Sequence, residues 1–161
     1  MLSFCRILIV FWIVIFAVNS HARAFSVEQF YVLVNAENDV VLDDENAHVL
    51  LRRIYLKQLT AWPSGKKSYF FARKDETDTE GAFRKIILKM SDAQLNDHWL
   101  KMKQIRGSTP PRAVGSTRIL LRQLEIRSGA VGVVSAEDFN KHAKDNPKIK
   151  ILTTFVVLQN D

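Results

Sequence analysis

Cysteine, glycine and proline are scarce in this chain of 161 residues: one Cys, six Gly and four Pro. A lone thiol, Cys5, can close no disulfide within the chain and can build no Cys-ligated metal site. With 47% hydrophobic and 25% charged residues, the chain is neither collagen-like nor disordered, and its length suits one globular domain. Catalytic signatures are missing as well. No nucleophile elbow, phosphate-loop lysine, zinc-helix histidine pair or dinucleotide glycine fingerprint occurs. An enzyme is therefore not expected, and neither catalytic residues nor a cofactor are assigned.

What is present begins with Ile7–Val18, twelve consecutive apolar residues preceded by Arg6 and followed by Ala22-Arg23-Ala24. A membrane-spanning helix needs about 20 apolar residues, so the pattern reads as a cleavable secretory signal peptide over residues 1–24, cut after Ala24. The mature domain would be residues 25–161, with no membrane span, no thiol and a periplasmic address. Losing Arg6 and Arg23, and no acid, takes the net charge from +6 to +4. A domain of this size can bury about two-thirds of its surface and stand without disulfides. Export takes nucleic acid out of the expected partners and leaves a small anion or an acidic envelope component.

Along the mature chain, Phe30 to Asn35 reads as a buried strand. Asp43 or Asp44 caps a helix whose Ala47, Leu50, Leu51 and Ile54 face inward. A Trp62-Pro63-Ser64-Gly65 turn precedes a second strand at Ser68 to Arg73. Phe83, Ile86, Ile87 and Met90 recur at helical spacing, so a helix starts near Asp78 or Thr79. Ser91 and Gln94 form a capping-box pair for a third helix, with Leu95, Trp99 and Met102 on one face. Ser116 caps a fourth, Gly129 to Val134 turns into a strand, a short helix runs from Ser135 to Asn146-Pro147, and Ile149 to Leu158 is the last strand. Alternating strands and helices predict an α/β fold, its mostly parallel or mixed sheet covered by helices on both faces.

Few residues suggest chemistry. His48, His98 and His142 lie about fifty residues apart without ligand spacing, and no metal site is expected. Asp75, Glu76, Asp78 and Glu80 lack the ligand order of a calcium loop and read as a solvated loop. Trp62 and Trp99 read as core. The suggestive stretch is Arg73, a polar loop, then Thr77 and Thr79 at a helix start. A guanidinium, hydroxyls and free backbone N–H groups together suit an oxyanion. Plain N-capping is the competing explanation.

The order of segments resembles the substrate-binding proteins of phosphate ABC transporters, in particular short, exported, single-lobe members of that type 2 periplasmic binding-protein superfamily. The resemblance runs from about Val32 to Leu158. It is carried by VNAEND at 34–39, RRIYLKQLTAWPSG at 52–65, RKDETDTEGAF at 73–83, the Met90-Ser91 to Trp99 pattern, Gly107 to Pro111 and SGAVGVVS at 128–135. In that family an arginine is followed four, five and six residues later by Ser, Gly and Thr, with Phe at ten. Here the same offsets from Arg73 give Thr77, Asp78, Thr79 and Phe83.

The resemblance implies one lobe of a receptor, with a small oxyanion such as phosphate held by Arg73, Thr77, Asp78 and Thr79. Asp78 replaces the glycine with a carboxylate, and Glu80 stands where short relatives often carry arginine, so weak or altered binding is expected. Two functions follow. One is an exported phosphate-binding-like solute receptor domain. The other is a ligand-free envelope interaction module on the same lobe, with a protein partner or a second copy.

Overall fold

The computed structural model describes residues 25–74 and 77–160, so the expected signal peptide with Cys5, and the loop residues Asp75 and Glu76, lie outside the described residues. Five strands form one sheet: β1 (Phe25–Asn35), β2 (Tyr69–Arg73), β3 (Arg112–Val114), β4 (Ala130–Ser135) and β5 (Ile149–Asn160). Their order across the sheet is β3-β2-β4-β1-β5. The pairings of β2 with β3 and with β4 are parallel, whereas β1 runs antiparallel to both β4 and β5. The sheet is thus mixed. Its first and last strands form an antiparallel ribbon, and the helical crossovers sit between β2, β3 and β4.

Helices cover both faces. One face carries α1 (Asp44–Tyr55), α2 (Asp78–Phe83) and α3 (Asp92–Arg106), whose Leu51, Ile54, Phe83 and Trp99 pack with Phe30, Val32, Phe70 and Phe155 of the sheet. The opposite face carries α4 (Thr117–Ile126) and α5 (Ala136–His142). There Leu120, Leu121, Leu124 and the half-buried Phe139 pack with Leu33, Phe71 and Val134. Successive strand residues point to opposite faces, which is why Phe70 and Phe71 enter different cores. Trp62 and Trp99 are both buried, and the Trp62 indole N–H donates to the Gly129 carbonyl at 2.9 Å.

The glycines of the Gly129–Val134 segment have steric reasons. A Cβ on Gly129 would sit 1.9 Å from the Lys67 carbonyl oxygen, and one on Gly132 would sit 2.4 Å from Leu120 Cδ1. Without side chains there, β4 reaches the start of β2 and α4 lies close against the sheet.

Local structure departs from the sequence expectation in three places. After α2 the helix widens into a π-helical turn, Arg84–Leu88. Phe83 and Leu88, five residues apart, are both fully buried, while Ile86 and Met90 are half-buried. The i to i+5 bonding of a π turn brings those two residues to one side, an alignment that a 3.6-residue period does not anticipate. The short strand β3 has only three residues and no alternating pattern to betray it. The last helix stops at His142, ahead of the Asn146-Pro147 end expected from the sequence, and turns fill the interval.

Candidate functional site

The parallel strands β2, β3 and β4 all end at the same rim of the sheet, and each leads toward a helix start. Arg73 is the last residue of β2 and Val114, its partner in register, the last of β3. Ser135 ends β4 and caps α5. The N-termini of α2, α4 and α5 therefore gather where crevices for ligands form in open α/β sheets, outside the carboxyl ends of the strands.

Arg73 follows the alternation of β2, and its side chain falls on the α4 and α5 face. Its Nη1 donates to Thr117 Oγ1 at 3.0 Å, and the Thr117 hydroxyl donates to Asp138 Oδ2 at 2.5 Å. Thr117 is buried at the first position of α4, and Asp138 sits in the first turn of α5 with its backbone N–H on Ser135 Oγ. This relay joins a strand end to two helix starts. One bond to Thr117 orients a guanidinium that carries five donors. Neither Thr117 nor Asp138 was a candidate on sequence grounds. Each reads there as an ordinary helix-start residue, and only the crossover of β3 onto β2 brings them to Arg73.

On the other face Thr77 caps α2. Its hydroxyl donates to the Lys74 carbonyl at 3.0 Å and accepts from the Glu80 N–H at 3.4 Å, while its own N–H bonds the Lys74 carbonyl. Thr79 is buried and Asp78 is exposed at the first helical position. Partial burial raises the pKa of Glu28 on β1, and the nearby Asp78 carboxylate adds to the rise. The four expected residues thus share one rim, but among the described residues no hydrogen bond joins the Arg73 guanidinium to Thr77, Asp78 or Thr79. Lys74 adds a further cation at this rim, its side chain lying over Gly115.

Glu80 corrects the reading of a solvated acidic loop. It lies on α2, only 5% exposed, where its Oε1 accepts from the Tyr55 hydroxyl at 2.7 Å and its Oε2 from the Arg73 backbone N–H at 3.2 Å. A carboxylate is buried only where donors repay its lost hydration. These two donors tie α1, α2 and the end of β2 together. Among the described residues no group of three or more His, Cys, Asp or Glu side chains is arranged to hold a metal, and no helix is long and apolar enough to cross a membrane.

Neither a family model nor a curated protein matches the chain. Solved structures do match. A phosphate ABC transporter substrate-binding protein from Clostridium perfringens, solved with bound phosphate, superposes with a TM-score of 0.56 at 14% identity over 79% of this chain and 45% of that one. This is the fold of one lobe of a phosphate-transport receptor. An ABC-type phosphate transport receptor from Vibrio cholerae matches at TM-score 0.57 and 19% identity, over 79% of this chain and 46% of the receptor. PstS from Borrelia burgdorferi matches at 0.57 and 13%, over 80% and 48%. The chain spans less than half the length of each receptor, and these neighbours are binding proteins rather than enzymes. This chain has its β2–α2 segment at the carboxyl rim, with Arg73 at the strand end and Thr77 at the helix start.

Proposed function

We propose that the chain is an exported, phosphate-binding-like solute-receptor lobe that takes a small oxyanion weakly at the carboxyl rim of β2, β3 and β4. Arg73 is its charged donor, Thr77 and Thr79 open the α2 start at the same rim, Thr117 is the residue that orients Arg73, and Asp78 is the residue that limits affinity. The observation that carries this reading is the Arg73 guanidinium held at a rim where three helices begin. Helix N-termini and a guanidinium both favour an anion. The likeness to a receptor solved with phosphate supports the same ligand class.

Asp78 opposes it. At about 4 Å, two like charges repel by roughly 4 kcal/mol at an effective dielectric of 20, which corresponds to about three powers of ten in affinity. Thermal unfolding in the presence of phosphate tests the reading. Wild-type protein is expected to shift little at millimolar phosphate, Asp78→Gly to shift upward, and Arg73→Ala to lose the response. Tight binding by wild type, or weaker binding by Asp78→Gly, would overturn this account of the rim.

The second reading, an envelope interaction module without a ligand, draws on the relay from Arg73 through Thr117 to Asp138, which gives the guanidinium a structural role. Under it Arg73→Ala lowers stability and no variant responds to phosphate.

A further inference from the structure

The two edges of the sheet are unlike. The β3 edge is short and blunted, since three residues follow Pro110-Pro111 and begin with Arg112. Proline, charge and brevity are the usual protections of an edge strand. The β5 edge has twelve residues and, among the described residues, is paired on one side only, with β1. Its first part carries Lys150 and a register shift beside Val32/Leu33. From Thr153 to Leu158 the sequence TTFVVL has neither charge nor proline. Such a segment is a template for pairing with another strand.

The same segment overhangs the candidate site. Ser135, the end of β4, lies opposite Phe30, so Phe25 to Gln29 pair with β5 alone. Those five residues carry the ribbon about 17 Å beyond the rim, at roughly 3.4 Å per residue. Val27 sits opposite Leu158 and Gln29 opposite Val156. Val27, Val156 and Leu158, on one face of the ribbon, are 62%, 51% and 61% exposed. The fold therefore projects a half-apolar ribbon past the place where Arg73 sits, with Glu28 as its charge on β1 and none on β5 from Thr153 to Leu158.

The geometry points to a second copy of this chain as the occupant of that edge: the distal halves of two β5 strands pair antiparallel about a two-fold axis. Identical uncharged strands meet this requirement without repulsion, because an antiparallel pair needs only one surface, presented twice. Pairing confined to the overhang leaves the two lobes on opposite sides of the axis. The pairing does not rest on the oxyanion reading above.

The test is the solution mass of the protein purified after expression of the full chain, by light scattering across a concentration series, with phosphate response measured in parallel. Wild type is expected at twice the mass of one chain. The double variant Val156→Lys with Leu158→Lys places like charges against one another across the axis and is expected at half that mass with its thermal transition kept, since both residues are exposed. Val41→Lys, which adds the same charge at an exposed valine outside the ribbon, is expected to remain dimeric. Arg73→Ala is expected to remain dimeric while losing phosphate response, so failure of the ligand reading and failure of the pairing give different results. A wild-type monomer throughout the series, or a double-lysine variant that keeps the dimer mass, would overturn the pairing.

Discussion

Two helix starts in this molecule carry nearly the same four residues and do different things. Thr77-Asp78-Thr79-Glu80 opens α2, and Ser91-Asp92-Ala93-Gln94 opens α3. In α3 the capping box closes within itself: Gln94 Oε1 accepts from the Ser91 N–H at 2.8 Å while Ser91 Oγ accepts from the Gln94 N–H at 3.2 Å. In α2 the Thr77 N–H is satisfied by Lys74, and Glu80 turns inward to Tyr55 and Arg73. The first-turn aspartates differ as well. Asp92 pairs with Arg84 at 2.8 Å, whereas Asp78 has the like-charged Glu28 in its vicinity. A local motif therefore sets where a helix begins, but the neighbours that tertiary packing brings decide whether its polar groups serve the helix or the domain.

The largest test of that contrast is truncation of the two residues at the third helical position. Glu80→Ala leaves the buried Tyr55 hydroxyl and the Arg73 N–H without that acceptor. At about 1–3 kcal/mol for each donor that loses this acceptor, as much as roughly 2–6 kcal/mol of stability should be lost. Glu80→Gln keeps an acceptor oxygen and should cost less. Gln94→Ala removes an exposed bond and should cost only about a few tenths of a kcal/mol. Urea unfolding midpoints report the order, and a Glu80→Ala protein no weaker than Gln94→Ala would erase the distinction between the two starts.

A smaller effect separates the caps themselves. Ser91→Ala should destabilise by about 1 kcal/mol, the usual cost of losing an N-cap hydroxyl. Thr77→Ala should cost less, because its bond to the Glu80 N–H is long, at 3.4 Å, and the Lys74 carbonyl already accepts from the Thr77 N–H. If thermal melts show Thr77→Ala as the more damaging change, the Thr77 hydroxyl holds the strand-to-helix turn rather than the helix.

The same contrast explains what could be read from sequence. Caps at Asp43, Ser91, Ser116 and Ser135 are local devices, and each accepts the expected backbone bond in the structure. Amphipathic spacing likewise located Leu50, Leu51, Leu120 and Leu124 in the core. The π turn after Phe83 shifted the inward register to Leu88, which no regular period signals. Glu80 looked like one acid of a polar loop because its partners, Tyr55 and Arg73, are twenty-five and seven residues away. Of the candidate site, Arg73 was legible from its place before a helix start. Thr117 and Asp138 were not, since their meeting depends on how β3 and β4 cross to either side of β2. The direction of β1 was equally hidden: alternation of strands and helices does not distinguish a parallel from an antiparallel neighbour.

The smallest expected effect concerns the two aspartates, and it is read best as a titration. The Glu28 carboxyl is held above its ordinary value of 4.5, first by partial burial and then by the nearby Asp78 carboxylate. An acid whose pKa is raised in the folded state binds its proton more tightly there than in the unfolded chain. Its contribution is therefore fully present below the ordinary value and is lost as pH rises through the folded value. Asp78→Asn removes one of the two causes. The Glu28 titration, followed by its side-chain carboxyl NMR signal, should move down toward the ordinary range without reaching it, because burial remains. The loss of stability with rising pH across that interval should flatten in step. Asp92→Asn should leave the Glu28 titration where it is, since Asp92 is engaged with Arg84. Should Asp78→Asn leave Glu28 unmoved, the Asp78 carboxylate points away from β1, and the repulsion assigned to it at the anion rim would have to be reassigned with it.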